Sequence, residues 1–197
     1  MQGTFVVFEG PDGSGQSTQA KLLAEHLTAQ GKEVVLTKEP TEGTFGVEIR
    51  KVLRGESKLG ARELQELFVE DRKEHLELLI LPALARGAVV ISDRYFFSTI
   101  AFGSLECDFE WLRELNSNFP LPDRTFVLEV SSETCLARIE KRGGEKELFE
   151  AKEKLARVNT AYQKLAKLYE NVVVIDGERP IEKVFTDVRA RVDVLFT

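Results

Sequence analysis

The chain has 197 residues, 43% of them hydrophobic and 30% charged, with a formal net charge of −6 at pH 7. This length predicts one domain with a full core, and the acidic balance argues against a nucleic-acid polymer as a partner, since such polymers are bound by basic surfaces. Two distant cysteines, Cys107 and Cys135, and the lack of an apolar run of about 20 residues predict a cytoplasmic protein without a disulfide framework or a membrane span.

The first apolar run leads directly into a glycine-rich segment. Residues 4–9, TFVVFE, predict a buried strand, and residues 10–18 read GPDGSGQST, close to the phosphate-binding loop G-x-x-x-x-G-K-[ST]. Such a glycine-rich loop turns its backbone N–H groups toward phosphate oxygens, and the helix behind it adds a partial positive charge. The residues predicted to bind ATP here are Gly10, Pro11, Asp12, Gly13, Ser14, Gly15, Gln16, Ser17 and Thr18. The Ser17 hydroxyl is placed to ligate Mg²⁺; the alternative is a turn that only joins strand to helix.

The rest of the chain alternates short apolar runs with longer amphipathic ones. Runs rich in β-branched residues predict strands at 34–36, 88–92, 125–130 and 171–176. Apolar residues at helical spacing predict a helix that begins near Ser14, helices over 61–86 and 147–170, and a last helix from Pro180. This alternation predicts an α/β three-layer sandwich, with a five-stranded parallel sheet between helices. Ligands of such sheets bind at the carboxyl ends of the strands.

Asp93 and Arg94 follow the third predicted strand, at the same edge of the sheet as the glycine-rich loop. A strand-end carboxylate in this place is suited to hold Mg²⁺ or one of its water ligands. The guanidinium beside it offers a forked donor to a phosphate. The alternative is a salt bridge that serves the strand end alone.

Four segments in this order resemble the motifs of the thymidylate kinases. They are FEGPDGSGQST (8–18), TKEPTEGTFG (37–46), LFVEDRKEH (67–75) and ISDRYFFSTIAF (91–102). The resemblance implies a single domain of the P-loop NTPase type over residues 1–197, assembled as a homodimer. It also implies transfer of the γ-phosphoryl group of ATP to dTMP with Mg²⁺, giving dTDP, so that the partners are small nucleotides.

The resemblance also implies an acceptor site. Phe68 and Arg72 lie four residues apart on one helix and share a face; in the family the ring stacks on thymine and the arginine donates to a base carbonyl. Without the other motifs, the pair also fits a core phenylalanine beside a surface arginine. Lys38 stands where the family pattern has arginine, and it also fits an ordinary surface lysine. The residues implied for dTMP are Asp12, Lys38, Phe68, Arg72, Arg94, Ser98, Thr99 and Phe102.

On the donor side, Arg138 resembles the arginine that packs on the adenine of ATP. Residues 141–150, KRGGEKELFE, resemble the mobile lid that closes over the phosphates. Members of the family carry a catalytic arginine in the loop or in the lid. The loop here has none, so Arg142 is the candidate, with Lys141 and Lys146 as substitutes. The implied catalytic set is Asp12, Asp93, Arg94 and Arg142.

Gln16 is the main departure from the pattern, which has a lysine whose charge lies near the β- and γ-phosphates. An amide carries no charge, and loss of one preorganised donor costs on the order of 10²–10³ in rate. Three interpretations stay open: an impaired kinase, a kinase compensated by Lys38 or a lid cation, and a silent nucleotide-binding protein. A kinase of another nucleoside monophosphate is a further alternative, against which Phe68 and Arg72 argue.

Overall fold

Five parallel strands form the central sheet of the residues that the computed structural model describes, 3–141, 143 and 148–196. The strands are β1 (Thr4–Glu9), β2 (Val34–Lys38), β3 (Val89–Asp93), β4 (Arg124–Glu129) and β5 (Val172–Asp176). They lie in the order β2-β3-β1-β4-β5, with β1 at the centre. The predicted α/β fold with a five-stranded parallel sheet is confirmed.

Helices cover both faces of the sheet. In the described residues they are α1 (Gln16–Ala29), α2 (Thr44–Leu53), α3 (Ala61–His75), α4 (Leu81–Ala85), α5 (Phe96–Gly103), α6 (Phe109–Leu115), α7 (Ser132–Lys141), α8 (Leu148–Leu168) and α9 (Ile181–Asp193). A 3₁₀ turn, Val194–Phe196, follows α9. None of the described helices combines the length and the apolar character that crossing a bilayer requires.

The long helix predicted over 61–86 is continuous but contains a π-helical turn. The helix α3 ends at His75, the wider turn spans Leu76–Ile80, and α4 follows at once. Pro82, near the start of α4, has no N–H, and its ring would crowd the carbonyl group of Leu78 in a regular α-helix. A π-helical turn inserts one extra residue, and this relieves the crowding.

Alternate residues of β1 pack into two cores. Phe5 and Val7 pack among buried side chains of α5 and α8, whereas Val6 and Phe8 pack among those of α1 and α9. The predicted apolar stripes are buried at Val158, Tyr162 and Leu165 of α8 and at Val184, Val188 and Val192 of α9. Ile181, the first residue of α9, is 52% exposed, because it lies in the first turn and lines an open cleft at the edge of the sheet.

The carboxyl ends of three neighbouring strands meet at one edge of the sheet. Phe8 of β1 and Lys38 of β2 both pair with Asp93 of β3. The backbone N–H of Arg94 donates to the Phe8 carbonyl oxygen at 2.9 Å. The glycine-rich loop leaves β1 at this edge, so the two predicted parts of the site, the loop and the strand-end pair, lie side by side.

Candidate active site

The glycine-rich loop between β1 and α1 has the conformation of a phosphate cradle. Gly10, Gly13 and Gly15 have φ angles of 153°, 87° and 99°, values that residues with a Cβ rarely adopt. At Gly13 a Cβ would also lie 2.5 Å from the carbonyl oxygen of Cys135. Within α1, all of which is described, the first turn carries no acidic side chain. Its N–H groups and partial positive charge are therefore open to an anion.

Gln16 begins α1, but its side chain turns into the glycine-rich loop and is buried. The amide nitrogen donates to the Gly10 carbonyl oxygen at 3.0 Å and to Ser14 Oγ at 2.6 Å. The amide oxygen accepts from Nε and Nη2 of Arg94 at 2.9 and 2.6 Å. We assign this orientation because the reverse one would set oxygen against acceptors and nitrogen against donors. Among the described residues, the cation in contact with Gln16 is thus Arg94, whereas Lys38, one of the cations predicted to compensate, pairs with Glu42.

Arg94 uses every N–H group of its guanidinium. Besides the two bonds to Gln16, Nη1 donates to the Gly10 carbonyl oxygen at 3.1 Å and to Ser98 Oγ at 2.8 Å. Nη2 also donates to Asp12 Oδ1 at 2.6 Å. These bonds occupy all five N–H groups of the side chain. The backbone of Arg94 has a φ angle of 75°, an uncommon value outside glycine and one that recurs at functional sites.

One cavity of about 320 Å³, here called the acceptor cavity, lies between α3 and α5. Among the predicted site residues, its lining includes Asp12, Phe68, Arg72, Arg94, Ser98, Thr99 and Phe102. The Arg94 guanidinium lies over the Phe102 ring, with Cζ 5.1 Å from the ring centre, which is a cation–π contact. The acceptor cavity therefore combines an aromatic side chain of α3 with a guanidinium beside the glycine-rich loop.

Arg72 is buried inside a network of polar side chains. Its Nε and Nη2 donate to Glu39 Oε2 at 3.0 and 2.6 Å. Nη2 also donates to Thr99 Oγ1 at 2.9 Å, and Nη1 donates to Asn116 Oδ1 at 2.7 Å. Among the described residues, these bonds leave one N–H of Nη1 without an acceptor. The guanidinium is therefore fixed in the wall of the acceptor cavity.

A larger cavity, of about 630 Å³, lies along β2 and α1. Ser17, Lys38 and Asp93 are among the residues that line it. The ammonium of Lys38 is 3.0 Å from Glu42 Oε1, and the hydrogen bond between them lowers the pKa of Glu42. Lys38 is therefore not brought together with the other residues predicted for dTMP, and its role at that ligand stays a prediction.

A donor-side cleft of about 260 Å³ lies where the glycine-rich loop meets α7 and α9. Its lining includes Gly13, Ser14, Gly15, Thr18 and Arg138. Nη1 of Arg138 donates to the Ser14 carbonyl oxygen at 3.1 Å, and Nη2 donates to the Gly177 carbonyl oxygen at 2.9 Å. Pro11 is buried in the turn of the loop, where its carbonyl oxygen accepts the N–H of Ser14 at 3.0 Å. The Arg138 guanidinium is thus fixed beside a cleft with room for a flat ring.

Comparison with known proteins identifies the family. A family model described as thymidylate kinase matches residues 8–188. The chain belongs to the thymidylate kinase family. A probable thymidylate kinase of Pyrococcus horikoshii is 40% identical over 198 residues, which cover 98% of this chain and 97% of that protein. A thymidylate kinase of Leptospira interrogans is 42% identical over 178 residues, 89% of this chain and 86% of that protein. One of Desulfotalea psychrophila is 40% identical over 169 residues, 85% and 84% of the two chains.

The Mg²⁺ ion expected for a thymidylate kinase fits the residues predicted to hold it. Ser17 exposes its hydroxyl at the start of α1, and Asp93 ends β3 in the wall of the same larger cavity. Oδ1 of Asp93 is buried and has no hydrogen-bond partner among the described residues, so it is an acceptor that a cation or a water ligand would satisfy. Within the same residues, no cluster of three or more His, Cys, Asp and Glu side chains is arranged to hold a metal. An ion held by few protein ligands and by phosphate oxygens is typical of Mg²⁺.

Half of the lid expected at 141–150 lies outside the described residues. Arg142, the predicted catalytic arginine, and Lys146 both belong to that undescribed part, so their roles stay predictions. Lys141 is the last residue of α7 and lines the donor-side cleft. Gly143 has a φ angle of 90°, which suits a turn that ends a helix.

Glu9 is a buried residue of the candidate active site that was not among the predicted site residues. Its carboxylate accepts the N–H groups of Tyr95 and Ser98 at 2.9 and 3.2 Å, and it also accepts the hydroxyls of Ser98 and Tyr162. Burial, partly offset by these bonds and by the charge of Arg94, raises the pKa of Glu9 to about 7. Glu9 therefore ties the start of α5 to the end of β1. Two signals were available: Glu9 lies in the first of the four family motifs, and it is an acidic residue that ends an otherwise apolar strand.

Glu39, His75 and Asn116 complete the network around Arg72. The other carboxylate oxygen of Glu39 is 3.1 Å from Nδ1 of His75, a residue without a predicted ligand role. Nδ2 of Asn116 donates to the Leu112 carbonyl oxygen at 2.8 Å, and this bond aims the amide oxygen at Arg72. Glu39 lies in one of the four family motifs, so a signal existed for it. Nothing in the sequence around Asn116 marks its role.

Proposed function

We propose that the protein is an ATP-dependent thymidylate kinase, which transfers the γ-phosphoryl group of ATP to dTMP and releases dTDP and ADP. The observation that carries this proposal is the acceptor cavity, which brings Phe68, Arg72 and Thr99 together with Arg94. A nucleoside monophosphate needs an aromatic surface for its base, fixed polar groups for the base edge and a cation for its phosphate. Membership of a kinase family supports phosphoryl transfer over silent nucleotide binding.

On the acceptor side, thymine stacks on Phe68 and accepts the open N–H of Arg72 through a carbonyl oxygen. Because Glu39 and Asn116 hold that guanidinium in a buried position, it cannot turn away from a mismatched base. Cytosine would set its amino group, a donor, against the N–H of Arg72, and an unpaired buried donor is costly. The cavity therefore favours thymine over cytosine.

On the donor side, the phosphates of ATP occupy the glycine-rich loop and its adenine packs on Arg138. Mg²⁺, when bound at Ser17 and Asp93, would supply positive charge to the phosphate oxygens. Arg94 holds the acceptor phosphate beside the loop, and Asp12 accepts a hydrogen bond from Arg94 before the nucleotide binds. The lid residue Arg142 is expected to add a second guanidinium during transfer. Catalysis of this kind depends on positioning and on charge stabilisation.

Release of ADP in a coupled assay, with dTMP, dUMP, dCMP and dGMP compared as acceptors, tests the proposal. We expect turnover with ATP and Mg²⁺, fastest with dTMP. A faster rate with dCMP or dGMP would make the protein a kinase of another nucleoside monophosphate. Binding of ATP and dTMP without ADP release would make it a silent nucleotide-binding protein.

The substitution Phe68→Ala tests the base site directly. We expect dTMP binding to weaken by about 1–3 kcal/mol, the contribution of one base–aromatic stack, as measured by calorimetry. Phe45→Ala is the matched control, because Phe45 is also half-buried but lies on α2, outside the acceptor cavity. Equal dTMP affinity of the Phe68→Ala variant and the native protein would show that the base binds elsewhere.

We further propose that residues 1–197 form one domain and assemble as a homodimer in the cytoplasm. Large apolar side chains on α2 and the π-helical turn, Val47, Leu78 and Leu79, are exposed, and Leu78 is 69% exposed. A second copy of the chain that covered this patch would remove it from water. Light scattering is expected to give a dimer for the native protein and a monomer for Leu78→Glu; a monomeric native protein would contradict the assembly.

A further inference from the structure

Gln16 connects the glycine-rich loop to the acceptor cavity. In the loop pattern, the lysine at this position reaches the phosphates of the donor nucleotide. In this chain the side chain instead bonds Arg94, which lines the acceptor cavity. We propose that Gln16 is a positioning residue for Arg94 and, through it, for the phosphate group of the acceptor nucleotide. This inference rests on the proposed thymidylate kinase function.

Gln16 holds the inner edge of the Arg94 guanidinium. Its side chain is buried, and among the described residues it is not part of the lining of the acceptor cavity. The bonds from Nε and Nη2 to its amide oxygen therefore lie on the side of the loop. Asp12, by contrast, lines the cavity and is 64% exposed. An incoming phosphate would exchange with the exposed bond to Asp12, while the buried bonds to Gln16 keep the guanidinium in place.

The hydrogen bonds of Arg94 explain why a bound phosphate displaces Asp12 and leaves Gln16 in place. All five N–H groups already have acceptors, so a phosphate oxygen must replace one of them. If the inner bonds were the ones to break, the guanidinium would have to leave both Gln16 and the Gly10 carbonyl oxygen. The contact with the Phe102 ring would then be lost as well. Exchange at Asp12 alone keeps every other contact.

The chemistry of an amide suits this task and that of a lysine does not. A Gln16 amide donates to Gly10 and Ser14 at one end and accepts from Arg94 at the other. An ammonium group has donors only, and in the same position it would place a like charge beside the guanidinium. A methionine has a similar length but accepts no hydrogen bond of comparable strength, so it would leave two buried N–H groups of Arg94 unpaired.

Binding of dTMP and of thymidine without ATP, measured by calorimetry on the full chain, tests the inference. We expect Gln16→Met to weaken dTMP binding about tenfold, the scale of a buried donor left unpaired, and Gln16→Lys to weaken it further. Thymidine has no phosphate, so its affinity should stay within about twofold of the native value in both variants. In an Arg94→Ala background, Gln16→Met should have no further effect on dTMP, because the coupled partner is gone.

Gln19→Met is the matched control, since Gln19 is also a buried glutamine of α1 but donates to the Ile181 carbonyl oxygen and does not line the acceptor cavity; it should leave dTMP binding unchanged. Unchanged dTMP affinity in both Gln16 variants would overturn this inference and leave the proposed function intact. Equal losses for dTMP and thymidine would also overturn it, because they would indicate damage to the whole cavity. Thymidine binding shows whether a variant is folded. If one Gln16 variant fails to fold, the dTMP affinity of the other tests the inference. A native protein that bound no dTMP would overturn the proposed function, and this inference with it.

Discussion

The two sides of the candidate active site present different chemical groups. The donor side relies on the backbone, because the glycine-rich loop turns through three glycines with positive φ and presents N–H groups. The acceptor side relies on buried side chains, with Arg72 fixed by Glu39, Thr99 and Asn116. Phosphates are common to all nucleotides, so backbone groups suffice for them, whereas a base has to be selected. Under the proposed function, selectivity would therefore depend on the long-range side-chain contacts that fix Arg72.

The largest expected effect comes from breaking the acceptor network. Arg72→Ala removes the guanidinium partner of the buried Glu39 carboxylate, and loss of one member of a buried ion pair costs about 3–5 kcal/mol. We expect the free energy of unfolding to fall by this amount in a urea titration. The control is Lys73→Ala on the same helix, because Lys73 is exposed and its pair with Glu70 lies at the surface. A loss below about 1 kcal/mol for Arg72→Ala would mean that the acceptor side is no more rigid than the surface.

A second test addresses Glu9, which links the two sides. Its pKa of about 7 in the folded protein lies above its ordinary value of 4.5, so the folded state binds the proton more tightly than the unfolded state. The contribution of Glu9 is therefore most favourable below pH 4.5, and it falls by about 3 kcal/mol as pH rises to about 7. In Glu9→Gln this part of the pH dependence should vanish, as measured by urea unfolding between pH 4.5 and 8. Parallel curves for the two proteins would show that Glu9 titrates normally.

The donor side is tested by Gly13→Ala. The φ angle of 87° and the contact of the added Cβ with the carbonyl oxygen of Cys135 should together lower the free energy of unfolding by about 1–3 kcal/mol. ATP binding should weaken, and dTMP binding should not. Gly55→Ala is the matched control, because Gly55 also has a positive φ of 73° but has open space around it. If both variants bound ATP equally well, the backbone shape of the glycine-rich loop would contribute less to ATP binding than we infer.

The smallest effect is expected at Lys38, which lies outside the acceptor cavity. Its ammonium is exposed and pairs with Glu42, and exposed pairs contribute little. Lys38→Ala should leave KM for dTMP and for ATP within about twofold of the native values. The control is Lys51→Ala, which removes the similar exposed pair with Glu48. A specific rise in KM for dTMP in Lys38→Ala alone would restore the sequence-based assignment of this residue to the acceptor phosphate.

Local patterns made much of this molecule predictable. The buried strands, the stripes of α8 and α9 and the glycine-rich loop depend on neighbours in sequence, and their positions agree with the structure. The contacts that fix Arg72 were not predictable, because its partners Glu39 and Asn116 lie 33 and 44 residues away along the chain. The same holds for the bond between Gln16 and Arg94, since only the fold decides which cation meets an unusual residue in a familiar loop.

The π-helical turn at Leu76–Ile80 lies between two parts of one long helix that face different surroundings. Before it, Phe68 and Arg72 line the acceptor cavity, and after it, Ala83 packs in the core. Each residue of an α-helix advances the side-chain direction by about 100°. Deletion of one residue within the turn would therefore rotate every later side chain of the helix, although no other residue would be changed. In the evolution of this family, a gap of one residue here would therefore change which side chains face inward more than many substitutions would. The length of this segment carries structural information as much as its composition does.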